Sequence, residues 1–118
     1  MSDEASQDQQ TKTDAPPDAI VARPLGVLIG RGFHDSLIRL IEAGHSRIVV
    51  DLGGVTAADY DALRGLSEAA AEIERKKGEI VLAGAVNTVD SLIRLTRVDH
   101  RIRLFDSVDQ AAVALANR

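Results

Sequence analysis

The chain has no cysteine and no tryptophan. Without thiols it can carry no disulfide scaffold, cysteine nucleophile, iron–sulfur cluster or cysteine-ligated zinc. Aromatic residues are nearly as scarce, with Phe33, Tyr60 and Phe105 making up the whole set. No apolar run approaches the roughly 20 residues that a membrane helix needs. The opening MSDEASQDQQ is acidic and has no apolar centre, so it does not read as a signal peptide. A cytoplasmic location without membrane insertion is the simplest expectation. Excess charge is also missing from most of the chain. The net charge of -4 sits in the first 19 residues, where Asp3, Glu4, Asp8, Asp14 and Asp18 face Lys12 alone. From Ile20 onward, 13 basic and 13 acidic residues balance. A neutral domain with three aromatics offers neither the basic field nor the stacking platform of a nucleic-acid binder.

The remaining composition, 45% apolar and 27% charged, is that of a globular protein. At 118 residues it makes one domain, which buries roughly two-thirds of its unfolded surface. Residues 1–19 are Asp, Gln, Ser and Thr around Pro16-Pro17, with no periodic apolar face. Such a stretch cannot offset its ordering entropy and is expected to be a disordered acidic tail. The folded domain is placed at 20–118.

Within that domain, short β-branched runs alternate with helical stripes. Ile20 to Ile29 predicts one or two strands as a hairpin or bend, with Pro24 barring a central ladder position. Phe33, Leu37, Ile38 and Ile41 follow at helical spacing, and Gly44 supplies a stop. Ile48 to Leu52 is apolar on both faces, as a buried parallel strand requires. Leu63, Leu66, Ala70 and Ile73 form the next stripe, with Asp59 at the N-cap and Gly78 past the end.

The second half repeats this scheme. Ile80 to Leu82 predicts a strand, and Thr88 a cap for a helix buried through Val89, Leu92 and Ile93. Leu95 also reads as core. Ile102 and Leu104 alternate with Arg101 and Arg103 as in an edge strand, and Ser107 and Gln110 have capping-box spacing before a last helix. Strands separated by helices imply βαβ units, right-handed crossovers and an α/β fold with a compact, mostly parallel sheet. About four strands and four helices are expected after the first bend.

Three segments invite a chemical reading. Gly30 and Gly32 after a strand, with Asp51 some twenty residues on, have the outline of a dinucleotide fingerprint. Asp35 at the third glycine position would oppose phosphate, so turn glycines and a strand-end acid are the better account. Asp51 as a phosphorylated receiver aspartate lacks the magnesium-binding acidic pair after the first strand. His34, His45 and His100 are too dispersed for a metal site, and no cofactor is implied. Arg94, Arg97, Arg101 and Arg103 form a basic cluster that reads as a solvated face. The third segment is Gly54 to Leu66, where a strand end turns into a helix carrying Asp59 as cap and Asp61 in the first turn. Positions two apart diverge around a helix, so these acids do not form a catalytic pair.

IVVDLGGVTAAD and the helix after it, then KKGEIVLAGA, then SLIRLTRVDHRIRLFDSVDQA, resemble the STAS domain of anti-sigma factor antagonists over about Gly26 to Ala116. The resemblance implies a STAS-like fold and a non-enzymatic module that binds an anti-sigma factor or a related ATP-binding serine kinase. It places partner contact at the strand-to-helix turn, residues Thr56, Asp59, Tyr60, Asp61, Ala62 and Arg64. Phosphorylated antagonists carry Asp-Ser-Ser-Gly or Asp-Ser-Thr-Gly there; this chain has Asp59-Tyr60-Asp61-Ala62. Asp61 thus stands in the phosphoacceptor place as a fixed charge, and Ala62 replaces the glycine. The resemblance then implies either a mimic of phosphoserine with weakened binding to the kinase-type anti-sigma factor, or a partner that never phosphorylates the domain, with Asp61 capping the helix or meeting a basic residue across an interface. The resemblance also admits a structural subunit of a larger assembly, stressosome-type or part of a lipid-transport ATPase complex.

Overall fold

The computed structural model describes residues 19–117. The chain opens with β1 (Ala19–Ala22) and β2 (Gly26–Leu28), then α1 (Gly32–Glu42), β3 (Arg47–Asp51) and β4 (Val55–Ala58). It continues through α2 (Tyr60–Arg75), β5 (Glu79–Ala83), α3 (Asn87–Leu95), the single turn α4 (Val98–Arg101), β6 (Leu104–Phe105) and α5 (Val108–Ala116). The tail expected at 1–19 lies outside the described residues, except for Ala19, which opens β1.

Four strands form one sheet in the order β1-β3-β5-β6, with every neighbouring pair parallel. Alternation along β3 shows why it sits at the centre. Ile48 and Val50 face the core shared with Leu37, Leu66 and Ile73 of α1 and α2, while Val49 faces Ala111 and Leu115 of α5. Both faces are therefore apolar, which is the pattern of a strand covered by helices on each side.

The second sheet pairs β2 with β4, also in parallel. Gly26 lies opposite Val55, but Val27 lies opposite Ala57, so the register slips and leaves Thr56 without a partner, as in a β-bulge. Because β2 feeds α1 and β4 feeds α2, this pairing sets the two helix starts side by side. The helices then pack closely. A Cβ at Gly65 would stand 2.8 Å from the His34 Cβ, so only glycine allows this approach.

Several expectations need correction. The stretch Ile20 to Ile29 does form two strands, and of the two options it is the bend, with β1 and β2 in different sheets and Pro24 between them. β4 falls inside what read as a turn. The α3 N-cap is Val86, with no side-chain cap bond, and Thr88 lies exposed within the helix. The left-handed residue after α2 is Lys77 (φ 66). Gly78 is needed for space instead, since a Cβ there would meet the Ser46 carbonyl oxygen at 2.3 Å. The helices among the described residues number five because Arg97 (φ 62) breaks the chain into the extra turn α4. Ile102 ends that turn as a buried residue, leaving Leu104–Phe105 as the edge strand. Leu95 is 78% exposed, not core, because it closes α3 on the side away from Val89 and Ile93. The Ser107 cap forms as expected, accepting the Gln110 N–H at 3.1 Å.

Candidate functional site

The corner shared by the starts of α1 and α2 is organised by Asp59. Its backbone is extended (φ -90, ψ 172), as an N-cap requires, and its Oδ1 accepts the Ala62 N–H at 2.8 Å. Both carboxylate oxygens also accept the Gly30 N–H, at 3.2 and 3.1 Å. The Asp59 N–H in turn donates to the Leu28 carbonyl at 3.0 Å. One side chain therefore caps α2 and pins the loop leading into α1, with Gly30 in the left-handed conformation (φ 66) that suits glycine.

Asp61 has a different position. It lies exposed in the first turn of α2 and makes no hydrogen bond or ion pair among the described residues. The helix dipole favours a negative charge there. Tyr60 beside it is exposed, as are Thr56 on the bulge and Arg64 one turn on. Arg64 reaches Glu68 only loosely, at 3.7 Å. Ala62 does not belong with these residues as a contact surface. It is buried in the core and serves the corner through its amide.

Next to this turn lies a charged network that local sequence spacing does not reveal. Arg31 meets Glu68 at 2.7 Å, 37 positions away in the chain. His34 Nδ1 lies 2.9 Å from Asp35 Oδ1, and its Nε2 lies 3.8 Å from Glu68. The Arg31 hydrogen bond lowers the Glu68 pKa, and Glu68 raises that of Arg31, to which the charge of Asp61 also contributes. Helical spacing marks His34, Asp35, Arg64 and Glu68 as surface positions, but only the α1–α2 packing brings them together.

The other candidate groups are already engaged. The Gly30 amide that a pyrophosphate would need is taken by Asp59. Asp51 accepts the Gly53 N–H at 2.9 Å and pairs with Arg23 at 3.3 Å. No group of three His, Cys, Asp or Glu among the described residues is placed to hold a metal. In the basic cluster, Arg94 pairs with Asp90 at 3.1 Å, Arg101 with Glu74 at 3.0 Å, and Arg103 grips both Glu79 oxygens at 2.7 and 2.8 Å. Only Arg97 of the four has no ion pair among the described residues. No helix among those residues is long and apolar enough to cross a membrane.

The parallel α/β layers set two helix starts side by side, clasped by one aspartate. The STAS domain model matches residues 29–111, and the chain belongs to that family. Among solved structures it is similar to a putative anti-sigma factor antagonist from Thermotoga maritima, with a TM-score of 0.76 and 18% identity over 88% of this chain and 92% of that one. A sulfate transporter family protein from Wolinella succinogenes has a TM-score of 0.75 and 17% identity over 91% of each chain. The anti-sigma factor antagonist SpoIIAA in its unphosphorylated form has a TM-score of 0.64 and 14% identity, covering 85% of this chain and 90% of its own. At these identities the likeness is one of fold. Among curated protein sequences none matches.

Proposed function

We propose that this STAS domain is a non-enzymatic interaction module of bacterial signalling, acting in the cytoplasm. It binds an anti-sigma factor or a related ATP-binding serine kinase through the corner at residues 56–64. The observation that supports this reading is Asp61, an exposed carboxylate in the first turn of α2 without a hydrogen bond or ion pair among the described residues, which the sequence resemblance aligns with the acceptor hydroxyl of phosphorylated antagonists. A phosphate adds a charge of about -1.5 to -2 that a phosphatase can remove. A carboxylate contributes a permanent charge of about -1 and is not stably esterified by a serine kinase. The output of the module is partner occupancy, through an interface of about 800 Å² per side.

The test is a titration of the purified protein against the individually purified anti-sigma kinases of its source genome, repeated with Asp61→Ser in the presence of ATP. Wild type is expected to bind without being modified, while the variant is phosphorylated at position 61 and changes affinity. A variant that is neither phosphorylated nor altered in affinity overturns the reading.

The likeness to a sulfate transporter family protein over 91% of both chains supports a second reading, a fixed structural subunit of a larger assembly such as a stressosome-type or lipid-transport ATPase complex. In that case the missing hydroxyl costs nothing. Stable co-purification with transporter ATPase subunits, and no binding to the kinases, would favour it.

A further inference from the structure

We infer that the end of the domain opposite the turn at 56–64 is a seat for an acidic peptide segment, and that its occupant is this chain's own residues 1–18. Nothing in this seat depends on Asp61 or on a kinase.

Parallel pairing gathers the strand starts of the four-stranded sheet at one end. Ala19 lies opposite Arg47, and Arg47 opposite Glu79, so the starts of β1, β3 and β5 stand side by side. Helices that link parallel strands must run back to that end. Accordingly α1, α2 and α4 finish just before β3, β5 and β6. The loops touch there, with the Glu79 N–H donating to the Ser46 carbonyl at 2.9 Å.

Charge at this end is uneven. Arg101 and Arg103 are held by Glu74 and Glu79, at 3.0 and 2.7 Å, and Arg75 by Glu72. Lys76 and Lys77 are exposed and make no side-chain hydrogen bond or ion pair among the described residues. With Arg47 and Glu42 counted in, the strand starts and helix ends carry a formal excess of two positive charges. The α2 dipole favours cations at its end, but a partial charge of about -0.5 does not compensate two lysines.

The acidic segment joins the domain beside this excess. Residues 1–18 hold Asp3, Glu4, Asp8, Asp14 and Asp18 against Lys12, and the segment enters at Ala19, opposite Arg47. Neighbouring strands lie about 4.8 Å apart, so the start of β5 is about 10 Å from Ala19. A chain spans up to about 3.3 Å per residue, which brings Asp14 within reach of Lys77, and Asp8 and Glu4 within reach of the whole end. Single exposed ion pairs are weak, but a tethered segment acts at a millimolar effective concentration, so several weak pairs populate the contact. The 16 residues of α2 separate the lysines from the turn at 56–64 by about 24 Å, so the seated segment leaves that turn uncovered.

The test is paramagnetic relaxation enhancement on the full chain. Because the sequence has no cysteine, Ser6→Cys carries a single nitroxide. At low salt the amides of 74–79 and 101–103 are expected to broaden strongly, and those of 59–64 much less. The broadening should fall at least about threefold when salt shortens the Debye length from about 10 Å to about 3 Å. The same fall is expected in Lys76→Gln/Lys77→Asn, where asparagine suits the left-handed backbone at 77. It is also expected when Asp3→Asn, Glu4→Gln, Asp8→Asn, Asp14→Asn and Asp18→Asn are combined. The salt arm needs no charge variant, so it stands apart from any effect on folding. Broadening that only decays with distance from Ala19, or that survives either salt or the lysine variant, overturns the inference. Broadening of isotope-labelled chain by a separate spin-labelled chain would assign the seat to a second copy's segment and also overturn it.

Discussion

Two corners of this domain are rich in charge, and they use it in opposite ways. At the α3–α4–β6 corner, Arg94, Arg101 and Arg103 each have an acid of their own, from α3, α2 and β5 respectively. At the α1–α2 corner Asp59 and Glu68 are equally occupied, but Asp61 is not, and the exposed Tyr60 precedes it in the chain. Charge density alone would mark the arginine corner as the interface. Three of its four arginines are already paired and Arg97 is not, which favours the other corner as the proposed docking site, because a compensated surface gains little from a new contact.

The comparison breaks most readily at Asp59. Asp59→Ala removes a helix cap and leaves the Gly30 amide without its acceptor. The expected loss is about 2 kcal/mol, roughly 1 from the cap and 1 from the second hydrogen bond. Urea denaturation measures it, and a loss of only a few tenths would mean that the clasp does not hold the corner together. Arg103→Gln probes the opposite corner. Its grip on Glu79 is two-pronged, and the hydrogen bonds it donates to Glu79 raise the Arg103 pKa, yet the pair is at the surface. The expected cost is under about 1 kcal/mol, with no change in kinase affinity.

The smallest effect is a pH dependence. Glu68 has its pKa lowered in the folded state by the Arg31 hydrogen bond. Its contribution is therefore complete above the ordinary glutamate range, about 4.3, and is lost as pH falls below that range through the lowered folded value. Comparing acid unfolding of wild type and Glu68→Gln should reveal a shallow difference in that window, reduced by salt because the pair is solvated. A difference that persists undiminished in high salt would contradict this account of the network.

How much of this was legible in the sequence depends on the range of the interaction. β3, β5 and α2 follow from side-chain period, and the Asp59 and Ser107 caps from spacing of three residues, so these are readable locally. β4 was not, because Val55-Thr56-Ala57-Ala58 is short and mostly small, and its strand character comes from pairing with β2. The α4 turn arises from a left-handed backbone at Arg97, which no residue type announces. Thr88 is a competent cap residue, but α3 begins two residues too early for it to serve. At the site, Asp61 and its first-turn exposure were readable. The Asp59 bond to Gly30 and the Arg31–Glu68 pair were not, since they span 29 and 37 positions. The exposure of Val27 on β2 was not readable, because alternation shows that two faces exist without showing which is left uncovered.

The direct test of the central claim is a pair of charge reversals, one at each corner, titrated against the same anti-sigma kinase. Asp61→Lys should weaken binding by tenfold or more and Arg97→Glu should leave it within twofold, a difference of at least about 1 kcal/mol. Equal affinities for the two variants, or a larger loss from Arg97→Glu, would contradict the assignment of the docking corner to the start of α2.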